Sequence, residues 1–262
     1  MLVDTHVHFD GLLETDAPVA FIERALARGV KKMIAVGGSA RGNEIALQTA
    51  AERPENVRAA VGFDRSQALG APDLAGFARM LENRMAAAVG ETGLDFHAPV
   101  PPREAQKELF RLMLQKARER VLPVIIHNRE ADREILEILE EHVRLWKGPA
   151  DKIGVCHCFT GTETSARRFL SLGFYISFSG ILTFRARHSA ALAEAARVVP
   201  DNRLLIETDA PFLAPEPLRG RVNEPANVRY VARALADIRG KTLESVAAVT
   251  TKNAENLFWD KK

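Results

Sequence analysis

Cysteine is scarce. The 262-residue chain has two, Cys156 and Cys158, one on each side of His157. On a strand, both would point away from the face that His157 uses. They therefore read as reduced packing residues, and such sparse usage fits a cytoplasmic protein rather than a disulfide-stapled secreted one. Long apolar runs are also missing. No stretch reaches the ~18 residues that a membrane helix needs, so no membrane association is expected. The N-terminus has neither a basic n-region nor an apolar h-region, so no secretory signal is expected. Charge of one sign is lacking too: 36 basic and 34 acidic residues leave a net charge of +2. That argues against a surface coated in positive potential for non-specific nucleic-acid binding. It leaves room for a local basic groove beside metal ions. There is no fixed-period repeat, no low-complexity tract and no dividing linker, which gives one domain over residues 1–262 with no obligatory protein partner evident.

What the chain does have is regular alternation. Hydrophobic residues make up 47% of it, enough for a large core. Short runs rich in Val, Ile and Phe read as buried strands at Leu2–His8, Lys32–Val36, Val57–Gly62, Ala86–Glu91, Pro123–His127, Ile153–His157, Phe174–Phe178 and Arg203–Thr208. Helical spacing appears between them. Val19, Ile22 and Leu26 form a stripe opened by Asp16 and Pro18 and closed by Gly29. Similar stripes follow Pro102, run through Ile135–Leu139, end at Leu170, and cover Ser189–Val199, Val228–Ile238 and Leu243–Phe258. Eight strands alternating with helices predict an α/β protein, a single (β/α)8 TIM barrel with its active site at the C-terminal ends of the strands. A doubly wound sheet is the rival, but it usually uses fewer strands.

Chemistry-bearing residues gather at those strand ends. In Val3-Asp4-Thr5-His6-Val7-His8, alternation puts Asp4, His6 and His8 on one face. The fourth run ends at Glu91, the fifth at His127 and the sixth at His157, and the eighth runs out at Asp209. Four of the seven histidines sit at strand termini. In strict alternation residues 87, 89 and 91 share a face, as do 123, 125 and 127, and 153, 155 and 157. Six N and O ligands exceed what one tetrahedral ion needs. They suit two divalent ions about 3.5–4 Å apart with a bridging carboxylate. The expected assignment is His6, His8 and Asp209 on one ion, His127 and His157 on the other, and Glu91 across both. Asp209 could also take the proton from an attacking water.

With those residues in view, the chain resembles the TatD family of metal-dependent deoxyribonucleases, within the amidohydrolase superfamily. The resemblance rests on Thr5-His6-Val7-His8, Gly90–Asp95, Pro123–Ala131, His157–Gly161, Phe178-Ser179-Gly180, Glu207–Leu213 and Asn223-Glu224-Pro225. It implies a TIM barrel, a divalent metal centre and hydrolysis of DNA phosphodiesters, and it agrees with the ligand set above. One departure stands out. Where family members commonly carry a His-Pro-His-like segment, this chain has Val61-Gly62-Phe63-Asp64-Arg65. Val222 is a smaller one, at a position where that loop often carries a basic residue.

The expected function is that of a divalent-metal-dependent deoxyribonuclease, using Zn²⁺, Mg²⁺ or Mn²⁺ and acting on single strands or ends by a metal-activated water. The alternative is a small-molecule amidohydrolase, cutting a cyclic amide, lactone or phosphoester on the same metal frame. Asp4 and Glu207 lie two residues before ligands and either orient metal-bound imidazoles or pair with a buried cation. Arg129, Arg187, Arg219 and Arg221 follow strand ends and could hold phosphates, with Arg129 and Arg221 the preferred candidates. His97 could line the mouth. Phe96, Phe159 and Phe212 could stack on bases, although core packing is the preferred reading of each. For His142, in an amphipathic helix, a structural role is preferred, and His188 carries no assignment.

Overall fold

The computed structural model describes residues 1–97, 101–184 and 189–259. Arg187 and His188 lie outside the described residues. All eight expected strands form: β1 (Leu2–Val7), β2 (Val30–Gly38), β3 (Val57–Phe63), β4 (Ala86–Asp95), β5 (Val124–Arg129), β6 (Gly154–Cys156), β7 (Tyr175–Phe178) and β8 (Leu204–Ile206). They are hydrogen-bonded in chain order, and each neighbouring pair is parallel. The ring returns to β1 through the segment after β8. There the Asp209 N–H donates to the His6 carbonyl at 3.0 Å, and the His8 N–H to the Ala210 carbonyl at 2.8 Å. The result is a nearly closed (β/α)8 barrel, as expected.

Around it run α1 (Pro18–Ala27), α2 (Ala40–Glu52), α3 (Leu74–Leu81), α4 (Arg103–Arg120), α5 (Asp132–Leu145), α6 (Glu163–Ser171), α7 (Ser189–Val198), α8 (Val228–Arg239) and α9 (Leu243–Phe258). Side-chain caps start several of them, Ser39 for α2, Asp73 for α3 and Thr162 for α6. Each such cap is worth about 1 kcal/mol. Among the described residues no helix is long and apolar enough to cross a membrane.

The core has two shells. Ile34, Val36, Ala60, Ile125, Val155, Tyr175 and Leu205 fill the barrel, and Ala254, Leu257 and Phe258 of α9 join that cluster. Asn253 of α9 donates to the Leu204 carbonyl at the start of β8, so this helix closes the end of the barrel where strands begin. The alternate residues, such as Met33, Ile126, Ile176 and Ile206, face outward onto Phe110, Met113, Leu136 and Phe169 of the helices.

Strict alternation fails on two strands, β4 and β1. Ala87 packs inside the barrel, whereas Val89 packs outside. The register of β4 against β5 shifts between Val89 and Thr92, and this irregularity is what aims Glu91 at the same centre as His127 and His157. On β1, Val3 is inside and Val7 outside, with a register shift between Asp4 and Val7. Irregular strand backbone is a usual device for re-aiming a side chain at a barrel rim.

The cysteine expectation holds for one residue only. Cys156 packs in the outer shell, but β6 stops there, and Cys158 has φ 44°. Its thiol lies 3.1 Å from the Ser179 hydroxyl. The strand is shorter than expected because the chain turns at His157 to enter the site. Both cysteines are free thiols.

Candidate metal centre

The ends of five strands converge on one cavity of about 460 Å³. Its walls include His8, Glu91, His127, His157 and Asp209, together with Gly37, Ser39, Arg65 and Phe212. The two oxygens of Glu91 face different partners. Oε2 lies 3.4 Å from Nε2 of His6 and 3.2 Å from Nε2 of His8. Oε1 lies 3.1 Å from Nδ1 of His127 and 3.6 Å from Nε2 of His157. Asp209 joins the first group, its Oδ1 at 3.8 Å and 3.7 Å from the same nitrogens of His6 and His8. Two overlapping groups of donors could each hold a metal ion: His6, His8 and Asp209, and His6, Glu91 and His157.

Imidazoles do not otherwise crowd like this. Nε2 of His6 and Nε2 of His8 are 3.0 Å apart, and Nε2 of His157 is 3.4 Å from Nδ1 of His127. The His6 and His157 rings stack at 3.9 Å. Protonating every ring would pack like charges face to face. Leaving every ring neutral lets each close pair share one N–H but leaves the buried carboxylates among them without enough counter-charge. A cation between the nitrogens removes both problems, so the donor set fits divalent metal chemistry.

The electrostatics separate the groups. Burial, reinforced by the neighbouring His157, holds the His6 pKa down at about 3, which keeps this ring in the neutral, ligating form. Burial works against charge on His8, but the adjoining Glu91 and Asp209 carboxylates push its pKa up to about 9. Burial also opposes ionisation of Glu91, yet the facing His157 and His127 hold it well below the usual carboxylate range. Burial lifts Asp209 to about 6. Asp209 has φ 57°, a left-handed conformation that Asp tolerates better than most residues.

Carboxylates behind the rings set their orientation. The buried Glu207 Oε1 lies 3.2 Å from Nδ1 of His157 and also accepts the Cys158 N–H at 2.6 Å, which leaves Nε2 of His157 for the centre. Asp95 does the same for His127, its Oδ2 at 3.3 Å from Nε2. The His127 contact draws the Asp95 pKa down to about 2. Metal-binding imidazoles commonly lean on a carboxylate in this way. Asp4 works differently. It accepts the backbone N–H groups of His6 at 3.2 Å and Thr208 at 2.9 Å and contacts the Thr208 hydroxyl at 2.5 Å. It thereby clamps β1 to the segment after β8, although burial raises its pKa to about 8.

The remaining candidates scatter. His97 is exposed and pairs through Nδ1 with Glu130 at 2.6 Å. Arg129 is exposed and lines a neighbouring groove of about 420 Å³ with Phe159 and Phe184. Arg219 lies over the Phe184 ring at 3.7 Å, and Arg221 is exposed on its loop. Phe159 is core, edge-on to Phe169 and Phe178. Phe96 lies under the Arg103 guanidinium at 4.3 Å. Phe212 departs from the packing expectation: it is 59% exposed at the cavity rim. His142 is buried in α5, with Nδ1 3.1 Å from an Arg118 nitrogen.

Two contributors were not singled out by sequence reasoning. Asp95 was quoted in a motif without a role, because a regular strand ends at Glu91 and leaves it in a loop. Arg65 was noted only as a departure from the family pattern, yet it stands beside both Glu91 and Asp95. The signal available was its place just after β3, where the chain passes the barrel mouth.

A family model described as TatD related DNase matches residues 3–259. The metal-dependent hydrolase YabD of Bacillus subtilis (strain 168) is 38% identical over 261 residues, covering 98% of this chain and 99% of its own length. A protein of Erwinia tasmaniensis named 3'-5' ssDNA/RNA exonuclease TatD is 33% identical over 243 residues, covering 90% and 92%. Among solved structures, YJJV, a TatD homolog from Escherichia coli K12, superposes with a TM-score of 0.86 at 29% identity, covering 99% of this chain and 98% of that one.

Proposed function

Because this chain belongs to the TatD-related DNase family and is a metal-dependent hydrolase, we propose that it cuts nucleic-acid phosphodiesters, working inward from single-stranded ends. The observation that carries this reading is the division of Glu91, one oxygen toward His6 and His8 and the other toward His127 and His157. On this reading His6, His8 and Asp209 would hold one divalent ion and His127 and His157 a second, with Glu91 a ligand available to both. Zn²⁺, Mn²⁺ and Mg²⁺ are the candidate ions. Such a pair supplies a polarised phosphoryl oxygen and a water acidified toward neutrality.

The protein's own groups do the rest. Asp209, whose Oδ1 stands beside Nε2 of both His6 and His8, would orient the attacking water or accept its proton. Glu207 and Asp95 fix which nitrogen of His157 and His127 faces the centre. Phe212, exposed at the rim, offers a face on which an unpaired base stacks, independent of its sequence. A cavity of about 460 Å³ is within the range of small-ligand sites and admits a chain end more readily than a stacked duplex. The name of the Erwinia relative supports 3'-to-5' polarity and activity on RNA as well as DNA.

The test is cleavage by chelator-stripped protein reloaded with Mn²⁺, Zn²⁺ or Mg²⁺. End-labelled single strands of both polarities would be assayed beside closed circular duplex and a panel of cyclic amides and lactones. Ladder-wise shortening of linear strands is expected. Faster cutting of circular duplex would overturn the preference for ends, and turnover of amides or lactones alone would overturn the nuclease reading.

A further inference from the structure

Arg65 follows β3 in the short 3-10 turn Arg65–Gln67. Its guanidinium lies 3.5 Å from Oε1 of Glu91, 3.6 Å from Oδ2 of Asp95 and 4.0 Å from Oδ2 of Asp64. All three separations exceed a good charge-assisted hydrogen bond, which runs about 2.7–2.9 Å. The side chain is 27% exposed and faces the cavity. Among the described residues lining that cavity, Arg65 is the one permanently charged cation, set among Asp10, Asp64, Glu91 and Asp209.

The turn that carries it is held on several sides. Asp64 accepts the Ser66 N–H at 2.6 Å and donates its own N–H to the Gly38 carbonyl at 2.9 Å. Just upstream, the buried Asn43 side chain brackets Gly62, donating to its carbonyl at 2.9 Å and accepting its N–H at 3.0 Å. A Cβ on Gly62 would sit 2.8 Å from the Gly90 backbone, so β3 and β4 meet with nothing between them just before Glu91. Arg65 is thus fixed at the wall of the centre without being committed to any one acceptor.

A guanidinium beside Glu91 is awkward for a site built to collect cations. It competes for the carboxylate and repels the ion. Its placement makes sense when an anion completes the site. We propose that Arg65 is the specificity-determining residue for phosphate, receiving non-bridging oxygens of a phosphate group on the Glu91 side of the centre. A guanidinium presents paired N–H groups that match two phosphate oxygens. This inference rests on the nuclease reading for its biological substrate, but not for its test.

The experiment compares wild type with Arg65→Met and Arg65→Lys in two titrations, one of Mn²⁺ and one of inorganic phosphate into the Mn²⁺-loaded protein. The KM on a single-stranded oligonucleotide is measured alongside. Arg65→Met is expected to weaken phosphate binding and raise KM by about 10- to 100-fold, the range for a lost hydrogen-bonded charge pair. Its Mn²⁺ affinity is expected to be unchanged or tighter, and Arg65→Lys to recover part of the phosphate binding. Phosphate affinity within twofold of wild type would overturn the proposal. So would a parallel loss of Mn²⁺ affinity, which would mark Arg65 as a brace for the site rather than a ligand for substrate. Absence of any phosphodiester cleavage by wild type would instead refute the nuclease reading, and the phosphate titration would then decide on Arg65 alone.

Discussion

Replacing Glu207 with Gln tests how far the metal centre depends on a residue that does not enter it. Glu207 is fully buried, and its Oε1 serves both the His157 ring and the Cys158 N–H. Gln keeps the shape and one acceptor but removes the charge that would make His157 a stronger metal ligand and fix its proton on Nδ1. Loss of such a carboxylate partner typically costs 10- to 100-fold in metal affinity, about 1.4–2.7 kcal/mol. The fold should lose less. The two hydrogen bonds weaken rather than vanish, and a buried negative charge near Glu91 and Asp209 is relieved. A change of about 1 kcal/mol shifts a protein of this size by only a few degrees. The assay is a Zn²⁺ titration against a competing fluorescent chelator, with a thermal melt of the metal-free protein as control. On the two-ion reading, one site should weaken while the other stays within a few-fold. Affinities within twofold of wild type at both sites would refute the role given to Glu207. A melt lowered by more than ten degrees would show that it holds the barrel rather than the ligand.

Three further outcomes follow from the same geometry. Asp209→Asn keeps the left-handed turn after β8 but removes the carboxylate, and should lower kcat by at least 10²-fold, the usual share of a general base; activity within tenfold of wild type would remove Asp209 from proton transfer. Phe212→Ala should raise KM for single-stranded oligonucleotides by about 5- to 150-fold, from a stacking contribution of about 1–3 kcal/mol, while leaving metal content unchanged; an unchanged KM would return Phe212 to the status of an exposed loop residue. His142, held at about 4 by burial and then by Arg118, favours its neutral form in the folded state. The stability it contributes is therefore complete above about pH 6.5 and is lost as pH falls toward 4, by up to about 3 kcal/mol. Urea unfolding at pH 7 and pH 5 should show that loss shrinking in His142→Gln, and an equal loss in both proteins would contradict it.

The strands were legible because burial on both faces leaves them as short runs of Val, Ile, Leu and Ala between breakers. Two helices were not. In α2 the buried positions are Gly42, Asn43, Ala46, Thr49 and Ala50, small or polar residues that give no apolar stripe. The helix α3 is only eight residues long, too short for a period to stand out. The ligand candidates were legible for a chemical reason: imidazole and carboxylate are costly to bury singly, so their recurrence at strand ends has few explanations. What sequence could not supply was direction. Strict alternation puts Val89 on the same face as Glu91, whereas the register shift in β4 sends Val89 outward and Glu91 inward. Asp95 was hidden by the same irregularity, which lengthens β4 by four residues beyond the expected end. Arg65 was hidden, and Phe212 was assigned to packing, because loops carry no period, so nothing local separates a rim residue from a buried or solvated one. His97, expected at the mouth from its proximity to a motif, is exposed and pairs with Glu130 just beyond the end of β5.

The central claim is that the split Glu91 carboxylate joins two cation sites in one mouth. Its most direct measurement is the number of ions bound per chain at saturation, read by equilibrium dialysis against Mn²⁺ and elemental analysis, for wild type and Glu91→Gln. Two ions per wild-type chain, and one or fewer once Glu91 is Gln, is the result expected. A single ion in wild type, or two in both proteins with equal affinity, would contradict it.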